Sequence, residues 1–199
     1  MLTGCNDSSL VVDRLRDQAK GQNTTVTYYY SEFKVGKELT ATAILGSMLK
    51  QMINGMDVIP KDISRGLKKQ LSTIYGYEPQ LVDIVKILQL ITSSQPTIMC
   101  IDDLDQCVGA QRVRILDSLK QILEKSPSTR IFITGGPHVR AEIKERLTGR
   151  VISLPVSPDK GDIITYLRAR LAEDEMPDAM DEGLEADILE KIPENISGM

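Results

Sequence analysis

The 199-residue chain has no tryptophan, two phenylalanines, three cysteines and one histidine. With so few aromatics, the core must consist mainly of Leu, Ile, Val, Met and Ala. The cysteines (Cys5, Cys100 and Cys107) have neither metal-site nor disulfide-framework spacing. There is no signal peptide, and no apolar run approaches the ~18 residues that a membrane span requires. We therefore expect a cytoplasmic protein in a reducing compartment, without a membrane partner.

Charge is distributed unevenly along the chain. Residues 1–150 carry 20 basic and 16 acidic residues, whereas residues 151–199 carry 4 basic and 12 acidic ones. An acidic tail argues against nucleic-acid binding there, and the mildly basic body has no concentrated Lys/Arg run. Nucleic acid is therefore not an expected partner.

Short β-branched or apolar runs alternate with segments of helical periodicity. The predicted strands are residues 24–33, 98–101, 130–134 and 151–154. The predicted helices are residues 10–19, 38–52, 64–74, 80–92, 108–125, 139–147, 159–173 and 184–192. This alternation predicts an α/β fold with a parallel sheet covered by helices.

Local signals mark several helix ends. Ser8 or Ser9 is expected to be the N-cap of the first helix, and Gly21 is expected to end it. Asp159 is expected to cap the helix of residues 159–173. His138 follows Pro137 and is interpreted as a helix-start residue rather than a catalyst. The three tyrosines at residues 28–30 are interpreted as strand packing rather than a base-stacking platform.

The apolar run of residues 98–101 ends abruptly in Asp102, Asp103 and Asp105. Ligands of open α/β sheets bind beyond the carboxyl ends of the strands, where such acids can face Mg²⁺. On this stretch alone, an acidic, solvated turn after a buried strand is an equally good interpretation.

Three motifs follow one another along the chain. They are Thr-Gly-Cys-Asn-Asp-Ser-Ser-Leu at residues 3–10, Asp-Asp-Leu-Asp-Gln-Cys at residues 102–107 and Thr-Gly-Gly-Pro at residues 134–137. In this order they resemble motifs of the NACHT-type P-loop NTPases, in the nephrocystin-like N-terminal form common in fungal receptor proteins with ankyrin or other repeats. The resemblance covers nearly all of the chain. It implies a three-layer α/β P-loop NTPase core at residues 1–155 and the start of a helical or winged-helix region at residues 156–199.

The resemblance also implies a site. ATP phosphates would contact Gly4, Cys5, Asn6, Asp7, Ser8, Ser9 and Gly136, and Mg²⁺ would contact Ser8, Asp102 and Asp105. ATP and Mg²⁺ are thus the implied cofactors, with weak or absent binding in this chain. Self-association through the NTPase domain is the implied partnership.

Three charged groups of the family motifs are replaced. Asp7 takes the place of the lysine that neutralises the phosphates, and like charges ~4 Å apart at an effective dielectric of ~20 repel by roughly 4 kcal/mol. Gln106 replaces the glutamate that polarises water, and an amide is not a general base. Gly136 replaces an arginine that meets the γ-phosphate. No catalytic residue is therefore assigned, and loss of ATP hydrolysis is expected.

Both ends of the chain are interpreted as truncated relative to the family. The central strand before the phosphate loop is represented only by residues 1–3, and the effector and repeat domains are absent. Marginal folding and aggregation are expected for a sheet that lacks a central strand.

Two functional hypotheses remain at this point. The first is a degenerate nucleotide-binding switch module of a NACHT-type signalling protein. The second is an interaction or scaffold remnant that binds no nucleotide, or a fragment without a function.

Overall fold

A computed structural model describes residues 5–31, 39–56, 59–61, 63–65, 80–147, 151–156, 159–173 and 182–197, without the side chains of residues 5–8, 182 and 195–197. The chain divides into two compact units, Met1–Val151 and Ile152–Met199. Each unit is described separately. The domain boundary near residue 155 stays a prediction.

Three parallel strands form the sheet of the first unit. They are β1 (Thr25–Tyr29), β2 (Thr97–Ile101) and β3 (Arg130–Ile133), in the order β1-β2-β3. The register places Tyr28, Cys100 and Phe132 side by side across the sheet. The α/β class with a parallel sheet, predicted from the alternation of patterns, is confirmed.

Helices lie on both faces of this sheet. On one face, α2 (Ala41–Asn54), α3 (Leu81–Ser94) and α4 (Gly109–Lys125) enclose the core with Met99 and Ile101 of β2. On the other face, α1 (Cys5–Ala19) packs against β1 through Val12, which is 2% exposed. Periodic aliphatic residues thus form the core, as the scarcity of aromatics predicts.

The first helix begins earlier than predicted. It starts at Cys5, so Ser8 and Ser9 lie inside the helix and the prediction that one of them is the N-cap is wrong. The helix ends at Ala19, and Gly21 follows with φ +76°, a conformation that favours glycine.

The next elements lie close to their predicted positions. Strand β1 ends at Tyr29, four residues before the predicted end, and residues 32–38 lie outside the described part. Thr40 caps α2 by accepting a hydrogen bond from the N–H of Ala43. The predicted helix of residues 64–74 lies outside the described residues except for residues 64–65, which are helical.

The apolar run at residues 130–134 predicts a buried strand, and this is wrong, because β3 is exposed at Arg130 and half-buried over the rest of its length. It has β2 on one side, and no described strand pairs with its other side. A short α5 (Arg140–Arg146) follows a 3₁₀ turn at Pro137–Val139, close to the predicted helix. His138 lies in that turn, which agrees with its interpretation as a helix-start residue.

The second unit contains α6 (Lys160–Ala172) and α7 (Glu182–Ser197), which contact each other. The predicted cap of α6 is confirmed, because the Asp159 carboxylate accepts a hydrogen bond from the N–H of Asp162 at 2.8 Å.

Residues 151–156 form no strand, so the strand predicted at residues 151–154 is wrong. Ile152 and Leu154 are 86% and 80% exposed, and no described strand pairs with this segment. None of the described helices combines the length and apolar character needed to cross a membrane.

Candidate functional site

The three strands end at one edge of the sheet, and polar residues from all three meet there. Ser31 follows β1, Asp102 follows β2 and Thr134 follows β3. The Thr134 hydroxyl donates to Oδ1 of Asp102 at 2.6 Å, and the Ser31 hydroxyl donates to the Asp102 backbone carbonyl at 2.7 Å. Asp102 is 4% exposed. The residue after β3 therefore orients the buried carboxylate of Asp102, and the residue beyond β1 fixes the Asp102 backbone.

Asp103 continues this edge in an unusual backbone conformation. Its φ of +49° and ψ of 54° are left-handed, a region that few residues other than glycine adopt and that is common at functional sites. Its N–H donates to the Thr134 hydroxyl oxygen at 2.8 Å. Burial raises the pKa of the Asp103 carboxyl, and the nearby charges of Asp102 and Asp105 raise it further.

Asp105 lies against the glycine pair that follows β3. A Cβ on Gly135 would lie 3.2 Å from Oδ1 of Asp105, and one on Gly136 would lie 3.4 Å from Oδ2. Oδ1 of Asp105 is buried and accepts no hydrogen bond from any described residue. Such an oxygen is unusual, because buried polar atoms are normally satisfied. The structure thus brings Asp105 and Gly136 together, although the resemblance gave them different ligands.

An ion-pair network fixes the loop that carries these acids. Arg112 of α4 donates through Nε to Glu142 of α5 at 2.6 Å and through Nη1 to the Cys107 carbonyl at 2.9 Å. Arg146 of α5 donates to Asp117 of α4 at 2.8 Å. The network joins the end of the Asp102–Cys107 segment to the helix that follows Gly136. Sequence reasoning missed it, because the partners lie about 30 positions apart and no local motif marks them.

The structure describes only some of the residues that the resemblance assigns to the phosphate loop. Gly4 lies outside the described residues, and residues 5–8 belong to α1 by backbone while their side chains are not described. Ser9 is half-buried within α1. Gln106 is exposed in a 3₁₀ turn, Leu104–Gln106. The structure therefore joins Asp102, Asp105 and Gly136 at one edge.

Two oxygen donors at this edge suit a hard cation. In the described parts of the chain, no three His, Cys, Asp or Glu residues are close enough together to hold a metal ion. Magnesium needs no such cage, because it is usually bound by one or two carboxylates together with waters and substrate phosphates. Asp102 and the unpaired Oδ1 of Asp105 fit that smaller requirement.

The buried thiols do not suit nucleophilic chemistry. Burial raises the pKa of Cys100 to about 11. Burial is also the main reason that the pKa of Cys107 is raised to about 11. A thiol must ionise to attack, so neither cysteine is a nucleophile near neutral pH.

An apolar cleft adjoins Asp102 on the α1 side of the sheet. Its walls include Val12, Tyr28, Tyr30 and Phe132. The rings of Tyr28 and Tyr30 lie 5.1 Å apart, and the guanidinium of Arg16 lies 5.9 Å from the Tyr28 ring centre. These tyrosines pack against α1 and each other, in agreement with their interpretation as strand packing.

Comparison with known proteins identifies the family. The family model described as Nephrocystin 3, N-terminal matches residues 8–135, more than half of the chain. None of the curated proteins matches the chain significantly. The matched region begins in α1 and ends at Gly135, so it includes the whole sheet and Asp102. The chain therefore belongs to the nephrocystin 3 N-terminal family.

Proposed function

We propose that this chain is a degenerate nucleotide-binding switch module of the NACHT-type P-loop NTPases. The supporting observation is Asp102 at the carboxyl edge of a parallel sheet, where Thr134 bonds its carboxylate and Ser31 bonds its backbone carbonyl. A P-loop NTPase uses a carboxylate in such a place to hold Mg²⁺ beside the phosphates. Signalling proteins of fungi that carry ankyrin or other repeats are the proposed setting, in the cytoplasm.

The proposed module holds nucleotide weakly and does not hydrolyse it. Gln106 is exposed in the turn after Asp102, and its amide cannot take a proton from water. Gly136 offers no positive charge, and a Cβ there would lie 2.8 Å from Nδ1 of His138. Asp7 adds a negative charge where the resemblance places a lysine.

The residues at the edge fit Mg²⁺ better than they fit the phosphates. Asp102 and Asp105 would hold the ion, with the Ser8 hydroxyl as a third ligand by resemblance. When bound, the ion would neutralise phosphate charge. The chain's own part is to orient Asp102 through Thr134, and binding would bias the arrangement and self-association of the full protein.

A second candidate is an interaction module that binds no nucleotide. Asp7 favours it, because the resemblance places a lysine at this position and a negative charge there opposes a phosphate. Partners would then be effector or repeat domains of the same signalling protein, or a second copy.

Titration with a fluorescent ATP analogue, with and without Mg²⁺, separates the two candidates. The switch module predicts weak, saturable, Mg²⁺-dependent binding that Asp102→Asn reduces. Asp83→Asn is the matched control, because Asp83 lies on α3, pairs with Lys86 and is not among the residues assigned to the site. Absence of saturable binding, or binding that is equally strong in Asp102→Asn, would support the interaction module.

A further inference from the structure

The two outer strands of the sheet differ in how their free edges are covered. In β1, alternate residues direct their backbone groups away from β2, and Tyr28 is one of them. The Gln51 side chain of α2 meets both groups: its Nε2 donates to the Tyr28 carbonyl at 2.7 Å, and its Oε1 accepts from the Tyr28 N–H at 3.1 Å. The amide therefore replaces a neighbouring strand at this edge.

The outer edge of β3 has no such cover in the described structure. Thr134 directs its backbone towards β2, since its N–H donates to the Ile101 carbonyl at 3.0 Å and its carbonyl accepts from Leu104 at 2.9 Å. Because successive residues of a strand direct their backbone groups to opposite sides, the N–H and C=O groups of Ile131 and Ile133 point away from β2. No described residue hydrogen-bonds these outward N–H and C=O groups. An open edge of this kind is a template for another strand.

We propose that β3 of a second copy of this chain pairs antiparallel with this edge. A two-fold axis at Phe132 would place Ile131 of each copy opposite Ile133 of the other copy. Both residues direct their N–H and C=O groups outward, so this register forms four backbone hydrogen bonds. The same surface serves both copies, and the pairing closes as a dimer with one continuous sheet.

Side chains favour the same register. Phe132 is half-buried and lies on the α1 face of the sheet, where it helps to line the cleft. The two-fold axis brings the two Phe132 residues together as a non-hydrogen-bonded pair, in which side chains are closest. Cross-strand aromatic pairs stabilise a sheet. The pairing also shields apolar surface that the free edge leaves half-exposed.

Charge complementarity selects a second copy as the occupant. Arg130 begins β3 and is exposed, whereas Thr134 follows β3 and binds the carboxylate of Asp102. Antiparallel pairing places Arg130 of each copy beside Thr134 of the other, on the face that carries Asp102. A basic group thereby approaches an acidic edge twice in the dimer. Such pairs fix register and accelerate association.

Sedimentation velocity over a concentration series tests the dimer. We expect reversible dimerisation of the native chain, and Arg130→Glu should raise the dissociation constant by about tenfold or more. We expect Arg130→Glu to keep the monomer folded, because Arg130 is exposed and its hydrogen bonds to described residues go to the Pro127 and Thr129 backbone carbonyls. Arg114→Glu is the matched control, since Arg114 is exposed on α4, and it should leave the dissociation constant unchanged.

Disulfide cross-linking tests the register independently. A cysteine at Phe132 faces its own copy across the axis, whereas cysteines at Arg130 lie about four residues apart along the strands, roughly 14 Å. In a Cys5→Ser, Cys100→Ala background, which removes the thiol beside residue 132, Phe132→Cys should cross-link readily under mild oxidation, and Arg130→Cys should not. Circular dichroism checks that both variants are folded.

Three results would overturn the proposal. One is a native chain that stays monomeric up to about 100 μM. Another is a dimer that Arg130→Glu leaves unchanged or that cross-links equally through residue 130. The third is open-ended oligomers, which would indicate head-to-tail strand addition instead of a two-fold pair.

Discussion

The hydroxyl of Thr134 connects two of the acidic residues at the carboxyl edge of the sheet. It donates to the Asp102 carboxylate and accepts from the Asp103 N–H. Thr134→Val keeps the shape of the side chain and removes both bonds, leaving a buried carboxylate and a backbone N–H without this partner. We expect the free energy of unfolding to fall by about 1–3 kcal/mol, measured by urea denaturation.

Two variants make that result interpretable. Thr134→Ser restores the hydroxyl and should recover most of the loss. Thr165→Val removes an exposed hydroxyl that donates only to the Gly161 carbonyl, and should change stability by less than about 0.5 kcal/mol. Equal losses in Thr134→Val and Thr165→Val would contradict the role given to Thr134.

Asp103 should make stability depend on pH. Its pKa is raised in the folded state, so the unfolded state releases its proton first as pH rises. The contribution of the Asp103 carboxyl to the free energy of unfolding is therefore fully present at low pH. It is lost as the pH rises through the pKa of the folded state. We expect Asp103→Asn to be more stable than the native chain at pH 7, with the difference vanishing below about pH 4. Asparagine also tolerates the left-handed backbone.

Asp17 provides a control of opposite sign. A hydrogen bond from Lys20 lowers the pKa of the Asp17 carboxyl, so any stability that it contributes is present at neutral pH and lost in acid. Asp17→Asn should not raise stability at pH 7. Stabilisation by Asp17→Asn as large as that by Asp103→Asn would show a general charge effect instead of a local one.

At the residue scale, the sequence predicts which acidic residues lie at the carboxyl edge of the sheet. It does not predict which groups hydrogen-bond to them. Asp102 follows an apolar run directly, and strand ends are readable from such a break. Its link to Thr134 depends on the register between β2 and β3, which the local sequence does not encode. Ser31 and Arg112 were missed for the same reason.

At the scale of elements, Gln51 joins α2 to the edge of β1. Besides its two bonds to Tyr28, it accepts a hydrogen bond from the Thr27 hydroxyl at 3.1 Å. Gln51→Met keeps the length of the side chain and removes these bonds. We expect a loss of about 1–3 kcal/mol in the free energy of unfolding. Gln121→Met, an exposed change on α4, should be near neutral, and equal losses in the two variants would contradict this role of Gln51.

Helices were predicted more accurately than strands, for a physical reason. The apolar stripe of α2 includes Ile44, Leu45, Met48 and Met52, and its period alone indicates a helix. A strand also requires a partner, which its own residues do not reveal. Residues 151–154 include Val151, Ile152 and Leu154, yet they form no strand in the described structure. The unpaired outer edge of β3 could not be predicted from its own sequence either.

At the scale of the whole molecule, ATP turnover should be absent. Gln106 stands where the resemblance places the glutamate that would act as general base, and Gly136 stands where it places an arginine, so both groups expected to promote hydrolysis are replaced. We expect phosphate release from ATP to equal the buffer background in a coupled assay. Measurable turnover that Asp102→Ala abolishes, while Asp83→Ala does not, would overturn this expectation.

The most direct test of the nucleotide-site proposal is a calorimetric titration of Mg²⁺–ATP into the native chain and Asp7→Lys. If Asp7 opposes a phosphate site, the native chain should bind no tighter than roughly millimolar, and Asp7→Lys should bind at least about tenfold tighter. Adding Asp102→Asn to Asp7→Lys should remove that gain. Micromolar binding by the native chain, or no gain from Asp7→Lys, would contradict the account.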